Sequence, residues 1–253
     1  MNYENYSIKE LVNKASQLYE YLTYDKNPVV TPKAYILGGQ SGAGKTSLHA
    51  VARRELDNNV IVINADDYRE LHPNFLMIQK LYGKDAVNHT QDFANAVANL
   101  MIDKLSSDKY NLCIEGTCRR ADIPLNTCES LKEKGYSVEL AVICTNKEVS
   151  WQRTIDRYNI MLKLGLVPRA VPRDKHDYIV KVLPDNIGSL YQSQKFDEIT
   201  LYTDENTYIY KLTEERDVNP KSIISQILNS LDTSQLKEQD EPLDLTESEG
   251  LTL

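Results

Sequence analysis

Gly39-Gln40-Ser41-Gly42-Ala43-Gly44-Lys45-Thr46 matches GxxxxGK[ST] at every fixed position. Glycines at this spacing let successive backbone N–H groups converge on phosphate oxygens, and the start of a following helix adds positive potential. Lys45 reaches the outer phosphates of a nucleoside triphosphate, and the Thr46 hydroxyl is a ligand for Mg²⁺. The flanks suit the motif: an apolar run at 34–37 enters the loop and a segment of helical composition, 47–55, leaves it. About twenty residues on, the run 60–63 ends in Asn64-Ala65-Asp66-Asp67. An acid at the end of that strand faces the γ-phosphate cleft, so Asp66 or Asp67 could take the proton of an attacking hydroxyl. A further strand, 111–115, closes on Glu115-Gly116-Thr117-Cys118-Arg119-Arg120. There Glu115 suits Mg²⁺, its water shell or the acceptor, while Thr117 and Arg119 suit sugar hydroxyls and phosphate. Downstream, a helical stretch at 151–164 and a Pro-punctuated loop offer Arg153, Arg157, Arg169 and Arg173 as lid arginines for a transferring phosphoryl group.

These residues need a scaffold that brings strand ends together. Short β-branched runs at 34–37, 60–63, 111–115, 138–144, 199–202 and 208–211 alternate with helix-period segments, which predicts an α/β fold with a mostly parallel sheet and crossover helices. Residues 8–24 form an amphipathic helix, with Ser7 and Glu10 as a capping box. A second begins at the candidate N-cap Thr90 and repeats Phe93, Val97, Leu100, Met101 and Leu105 at helical intervals. A third opens at Pro124 and stops at Gly135.

Composition narrows the function classes. The 253 residues are 41% hydrophobic and 26% charged, and the longest apolar runs fall far short of the roughly 18 residues that span a bilayer. Cys113, Cys118, Cys128 and Cys144 form no CxxC pair, which suits a reducing cytoplasm. The four histidines lack metal-ligand spacing. Of the net charge of −8, residues 232–253 hold seven acids and one lysine, so the body is near neutral and has no basic footprint for nucleic acid. The expected organisation is one domain over 1–231 and an acidic, disordered tail over 232–253. A GTPase is excluded because Asn146-Lys147-Glu148-Val149 lacks the aspartate of the guanine-reading motif.

Together these segments resemble the zeta toxin family, the kinase halves of bacterial toxin–antitoxin pairs. The resemblance rests on Leu37-Gly38-Gly39-Gln40-Ser41-Gly42-Ala43-Gly44-Lys45-Thr46-Ser47-Leu48, on 60–66, and on His72-Pro73-Asn74-Phe75. It continues through 110–124, Lys134-Gly135-Tyr136, Arg157-Tyr158, Arg169-Ala170, Pro172 and His176-Asp177, and covers roughly 34–190. It implies a P-loop kinase-like three-layer αβα sandwich that uses ATP and Mg²⁺ to phosphorylate the sugar 3′-hydroxyl of UDP-N-acetylglucosamine. Carried over residue by residue, Asp66 is the base, and Lys45, Arg157 and Arg169 neutralise the phosphates. Asp66, Asn99, Glu115, Thr117, Arg119 and Thr127 line the sugar-nucleotide side, with Thr46 on the metal. A small helical antitoxin that blocks the ATP site is the implied partner. Four positions depart from the family pattern: Asn99 replaces a glutamate, Asn64 an acid, Arg120 a threonine, and the loop from Arg157 to Arg169 is one residue shorter. The first and third lie on the acceptor side. The rival expectations are a P-loop kinase for another UDP-sugar, an antibiotic or a nucleoside, and a non-catalytic ATP-gated binding protein.

Overall fold

The computed structural model describes residues 3–165, 170–204 and 207–230. Arg169 and the tail 232–253 therefore lie outside the described residues. Helix α1 spans Ile8–Thr23, with Ser7 Oγ accepting from the Glu10 N–H and Glu10 reaching back to the Ser7 N–H at 2.8 Å, the expected capping box. The remaining order is β1 Lys33–Gly38, α2 Thr46–Glu55, β2 Ile61–Ile63, a 3₁₀ turn Ala65–Leu71, α3 Phe75–Tyr82, a short 3₁₀ turn Gly83–Asp85, α4 Ala86–His89, α5 Gln91–Ser107 and β3 Leu112–Ile114. It continues with α6 Asp122–Glu133, β4 Ser137–Ile143, α7 Lys147–Lys163, α8 Arg173–Ser193, β5 Glu198–Tyr202, β6 Tyr208–Lys211 and α9 Pro220–Leu228.

The six strands lie in the order β2-β3-β1-β4-β5-β6, all parallel except the edge strand β6. Strand β1 is central, with Ala34 opposite both Leu112 of β3 and Val138 of β4. Because β1 and β4 are buried along almost their whole length, both strands run largely apolar, apart from the buried Glu139 that pairs with Lys33, as parallel strands covered on two faces do. One core cluster packs Phe93, Val97, Met101 and Leu105 of α5, Leu131 of α6, Leu183 and Ile187 of α8 and Ile224 of α9 against one face. A second packs Leu48, Val51 and Ala52 of α2 on Tyr35, Leu37 and Ile143. Helices on both faces of a mostly parallel sheet make the expected three-layer α/β sandwich.

Two expected boundaries differ. Helix α6 opens at Asp122, so Pro124 sits in its first turn rather than at its start, which costs no hydrogen bond because that N–H would be unpaired there. Thr90 does precede α5, but its hydroxyl donates to the Ala86 carbonyl at 3.0 Å instead of capping the helix. The short helix α4 in front competes for it. The stop at Gly135 holds, with φ +79° just past the end of α6.

Candidate active site

The loop after β1 carries the glycine-rich motif, and its shape is set by packing as well as by sequence. Gly42 has φ +76°, and a Cβ there would land on the Ser150 carbonyl oxygen of α7. Gly39, at φ +137°, leaves a Cβ only 2.8 Å from Ile143 Cγ2. Both positions admit glycine alone. Behind the loop, the fully buried Gln40 side chain donates to the Thr145 carbonyl at 2.7 Å and to Ser150 Oγ at 3.1 Å. Thr145 Oγ1 returns a bond to the Ala43 carbonyl at 2.8 Å. Ser150 Oγ also lies 3.0 Å from Nε2 of the fully buried His176, so the loop, the start of α7 and α8 share one polar chain. Gln40 thus contributes its backbone to the cradle, while its side chain anchors the loop from behind. Ser41, Gly44 and Thr46 complete the cradle, with Thr46 exposed as the first residue of α2.

Lys45 Nζ donates to the Gly39 and Gln40 carbonyls at 3.0 and 3.1 Å, closing over its own loop. Its pKa lies below the ordinary lysine value, chiefly because burial disfavours the charged form. Glu115 and Asp66 pull in the opposite direction, and Arg157 adds to the lowering. Lys45, Glu115, Asp66 and Arg157 thus come from four separate elements and feel one another's charge. Glu115 follows β3 and its carboxyl lies below the ordinary value. Burial works against that, but His49 and Lys45 outweigh it, with Asp66 opposing. His49 Nε2 of α2 is 3.1 Å from Glu115 Oε2. The pair is misaligned for hydrogen bonding, so Oε2 keeps an unused lone pair inside the cleft.

Asp66 and Asp67 separate cleanly. Asn64 caps the 3₁₀ turn, accepting from the Asp66 N–H at 3.1 Å and donating to Asp67 Oδ2 at 3.0 Å. Asp66 instead accepts two bonds from Arg69 on Oδ1 and keeps a half-exposed carboxylate. Of the arginine set, Arg157 is exposed on α7 within electrostatic reach of Lys45. Arg153 pairs with Asp204 at 2.7 Å, and Arg173 pairs with Glu148 and Asp177 while lying over the Trp151 ring. Those two arginines brace α7 to the strand end and to α8.

Of the residues expected on the acceptor side, Asn99 is exposed on α5, two turns beyond Gln91, and Arg119 is exposed in the loop after β3. Thr117 Oγ1 accepts from the Arg119 N–H at 3.4 Å, whereas the Thr127 hydroxyl is turned into its own helix, donating to the Ile123 carbonyl at 2.9 Å. Cys118, in the same loop, is buried and holds φ +51°. The residues that sequence reasoning passed over are Arg69, His49 and Asp204. Arg69 and His49 each stand within four residues of a recognised site residue, and that proximity is their only sequence signal. No group of histidine, cysteine and acidic side chains suited to a metal occurs among the described residues, and no helix there is long and apolar enough to cross a membrane.

Residues 19–215 match the family model described as zeta toxin. The toxin PezT of Streptococcus pneumoniae is 37% identical over 229 residues, 90% of each chain. The toxin zeta of Streptococcus pyogenes is 38% identical over 90% of this chain and 80% of its own. Among solved structures, the PezAT chromosomal toxin–antitoxin system of S. pneumoniae superposes with a TM-score of 0.83 at 33% identity, covering 93% of both chains. AvrRxo1-ORF1:-ORF2 with ATP shares the fold at a TM-score of 0.56 and 14% identity, over 87% of this chain and 70% of that one.

Proposed function

The chain belongs to the zeta toxin family, and from that premise we propose that it is the kinase toxin of a toxin–antitoxin pair. Its proposed reaction moves the γ-phosphate of ATP to the 3′-hydroxyl of the sugar of UDP-N-acetylglucosamine. The observation that carries this is that Lys45, Asp66 and Glu115 follow the carboxyl ends of the neighbouring strands β1, β2 and β3, with Asp66, Glu115 and Arg157 of α7 all acting on the charge of Lys45.

In the mechanism, Asp66 accepts the proton of the acceptor hydroxyl as that oxygen bonds to the γ-phosphorus and the bond to the β–γ bridging oxygen breaks, releasing ADP. The glycine N–H groups and Lys45 hold the β- and γ-phosphates. Lys45 sits in a partly dry site, where its charge acts more strongly than in water. Arg157 and Arg169 neutralise charge spreading over the transferring group. Glu115, Thr117, Arg119, Asn99 and Thr127 are assigned to the sugar nucleotide. The Thr46 hydroxyl and the unsatisfied Glu115 oxygen fit Mg²⁺ and its water shell, and this ion would neutralise phosphate charge when bound. The PezAT system of the pneumococcal relative supports an antitoxin as the protein partner.

The test is mass spectrometry of purified protein with ATP, Mg²⁺ and UDP-N-acetylglucosamine, with Lys45→Ala and Asp66→Asn alongside. The expected result is one added phosphate on the sugar nucleotide with the wild type, none with Lys45→Ala, and a residual rate lower by about 10²- to 10⁴-fold with Asp66→Asn. ATP binding without that product would reject this acceptor and favour the kinase for another small acceptor, a reading that Asn99 supports. A product formed at the wild-type rate by Asp66→Asn would remove Asp66 as base.

A further inference from the structure

The proposed base does not stand alone in the fold. Arg69, three residues along the same 3₁₀ turn, is a buried arginine with five donor N–H groups. Each has a partner. Nε and Nη2 donate to Asp66 Oδ1 at 2.9 and 2.7 Å, and Nη2 donates again to Gln91 Oε1 at 2.6 Å. Nη1 donates to the Val87 carbonyl at 2.5 Å and to Thr90 Oγ1 at 3.3 Å. Gln91 Nε2 passes the chain on to Asn95 Oδ1 at 2.8 Å, one turn further along α5.

A guanidinium withdrawn from water is tolerated only when its donors are satisfied, and here its ion pair is with Asp66 at 2.7 Å. Residues i and i+3 of a 3₁₀ turn lie one above the other, so the turn itself sets the Asp66–Arg69 pairing. The other three partners lie on α4, at the junction, and at the first residue of α5. One planar side chain therefore ties the carboxylate after β2 to the helix that carries Asn99.

We propose that Arg69 is the positioning residue of the acceptor side: it grips Asp66 through Oδ1, reserves Oδ2 for the acceptor proton, and locks base and α5 into one unit. This rests on the assignment of Asp66 as base in the reading above. A lysine at 69 keeps the charge but cannot form the fork, because an ammonium lacks the planar donor set.

The experiment measures kcat and KM for UDP-N-acetylglucosamine, and ATP affinity by calorimetry, for Arg69→Lys and Gln91→Ala, each alone and combined with Asp66→Asn. Arg69→Lys is expected to lower kcat about 10- to 100-fold through misplacement of the base. Its ATP affinity stays within about twofold of wild type, since the fork does not touch the phosphate cradle. In the Asp66→Asn background the same change removes less than about twofold more, because groups acting as one unit are not additive. Should Arg69→Lys fail to fold, Gln91→Ala decides, with a smaller drop in kcat that likewise disappears when Asp66 is replaced. A slowed Asp66→Asn beside an unaffected Arg69→Lys, or an unaffected Gln91→Ala where lysine unfolds the protein, overturns the inference alone. Equal fractional losses in both backgrounds do the same, as they place Arg69 outside the path through Asp66. A fully active Asp66→Asn, or a wild type inactive on this acceptor, overturns the reading above and this inference with it.

Discussion

Replacing Gly42 by alanine tests whether the phosphate loop is shaped by its packing on α7. The backbone there has φ +76°, and an L-residue in that region costs about 1–2 kcal/mol. The added Cβ would also meet the Ser150 carbonyl oxygen directly, with Ser150 C at 2.9 Å and Thr154 Cγ2 at 3.0 Å. Two of those three atoms are helix backbone, so relief requires the loop and α7 to part. Parting them strains the Gln40–Ser150 bond of 3.1 Å and the Gln40–Thr145 bond of 2.7 Å, both buried. Stranding one such group costs about 1–3 kcal/mol. The two contributions add to about 2–5 kcal/mol, a large effect for one substitution. In a chain of this size each kcal/mol moves Tm by about 2–4 °C, so the expected drop is about 4–20 °C. Thermal unfolding followed by circular dichroism, with calorimetric titration of ATP, reads both consequences; ATP affinity should fall at least about tenfold as the N–H groups lose convergence. A Tm within about 2 °C of wild type and unchanged ATP affinity would refute the argument that α7 moulds the loop.

Three further outcomes are expected. Wild-type protein at an ATP concentration 100 times Kd should gain about 2.7 kcal/mol of stability, seen as a rise in Tm. Lys45→Met should show no such rise while keeping its unliganded Tm, because removing a buried charge offsets the two lost carbonyl bonds; a normal ATP shift would contradict the role of Lys45. His176 has a pKa below the ordinary imidazole value, mainly through burial, with Asp177 and Glu148 opposing and Arg173 reinforcing. The unfolded chain then binds its proton more readily, so stability falls as pH drops below about 6.5 toward the folded-state value. His176→Asn should flatten part of that fall, leaving the part due to His72, also depressed by burial; an unchanged pH profile of Tm would exclude His176. Phe93, 1% exposed, meets Tyr6 and His72 edge-on at 4.9 and 5.0 Å. Phe93→Ala should cost about 3–5 kcal/mol in urea unfolding, and a loss under about 1 kcal/mol would mean that the site collapses without a cavity.

The parts of the site legible from the chain alone are those encoded by neighbours in sequence. The glycine spacing, the apolar runs ahead of Asp66 and Glu115, and the Ser7–Glu10 box all draw their meaning from residues within one turn or one strand. Helix α8 was not legible. Its interior Pro184 removes an N–H and reads as a breaker, yet Leu183, Pro184 and Ile187 are fully or nearly buried against the sheet, and that packing overrides the local preference.

The arginines show the same division. Composition and position made Arg153, Arg157, Arg169 and Arg173 equal candidates, because a guanidinium reaches whatever the fold sets beside it. The fold sets Asp204 beside Arg153 and two acids and a Trp ring beside Arg173, and places Arg157 within electrostatic reach of Lys45. Arg69, never singled out, is buried where α4 and α5 meet the turn after β2, with partners 18 to 22 residues away and Asp66 at three. By itself, then, the sequence determined the phosphate loop, the acids at the strand ends and the parallel α/β class, since each follows from local backbone geometry and hydrophobic period. Only the tertiary structure decided which arginines pair with acids of other elements, and what grips the proposed base. Charge–charge contacts between distant segments depend on separations that no spacing along the chain encodes.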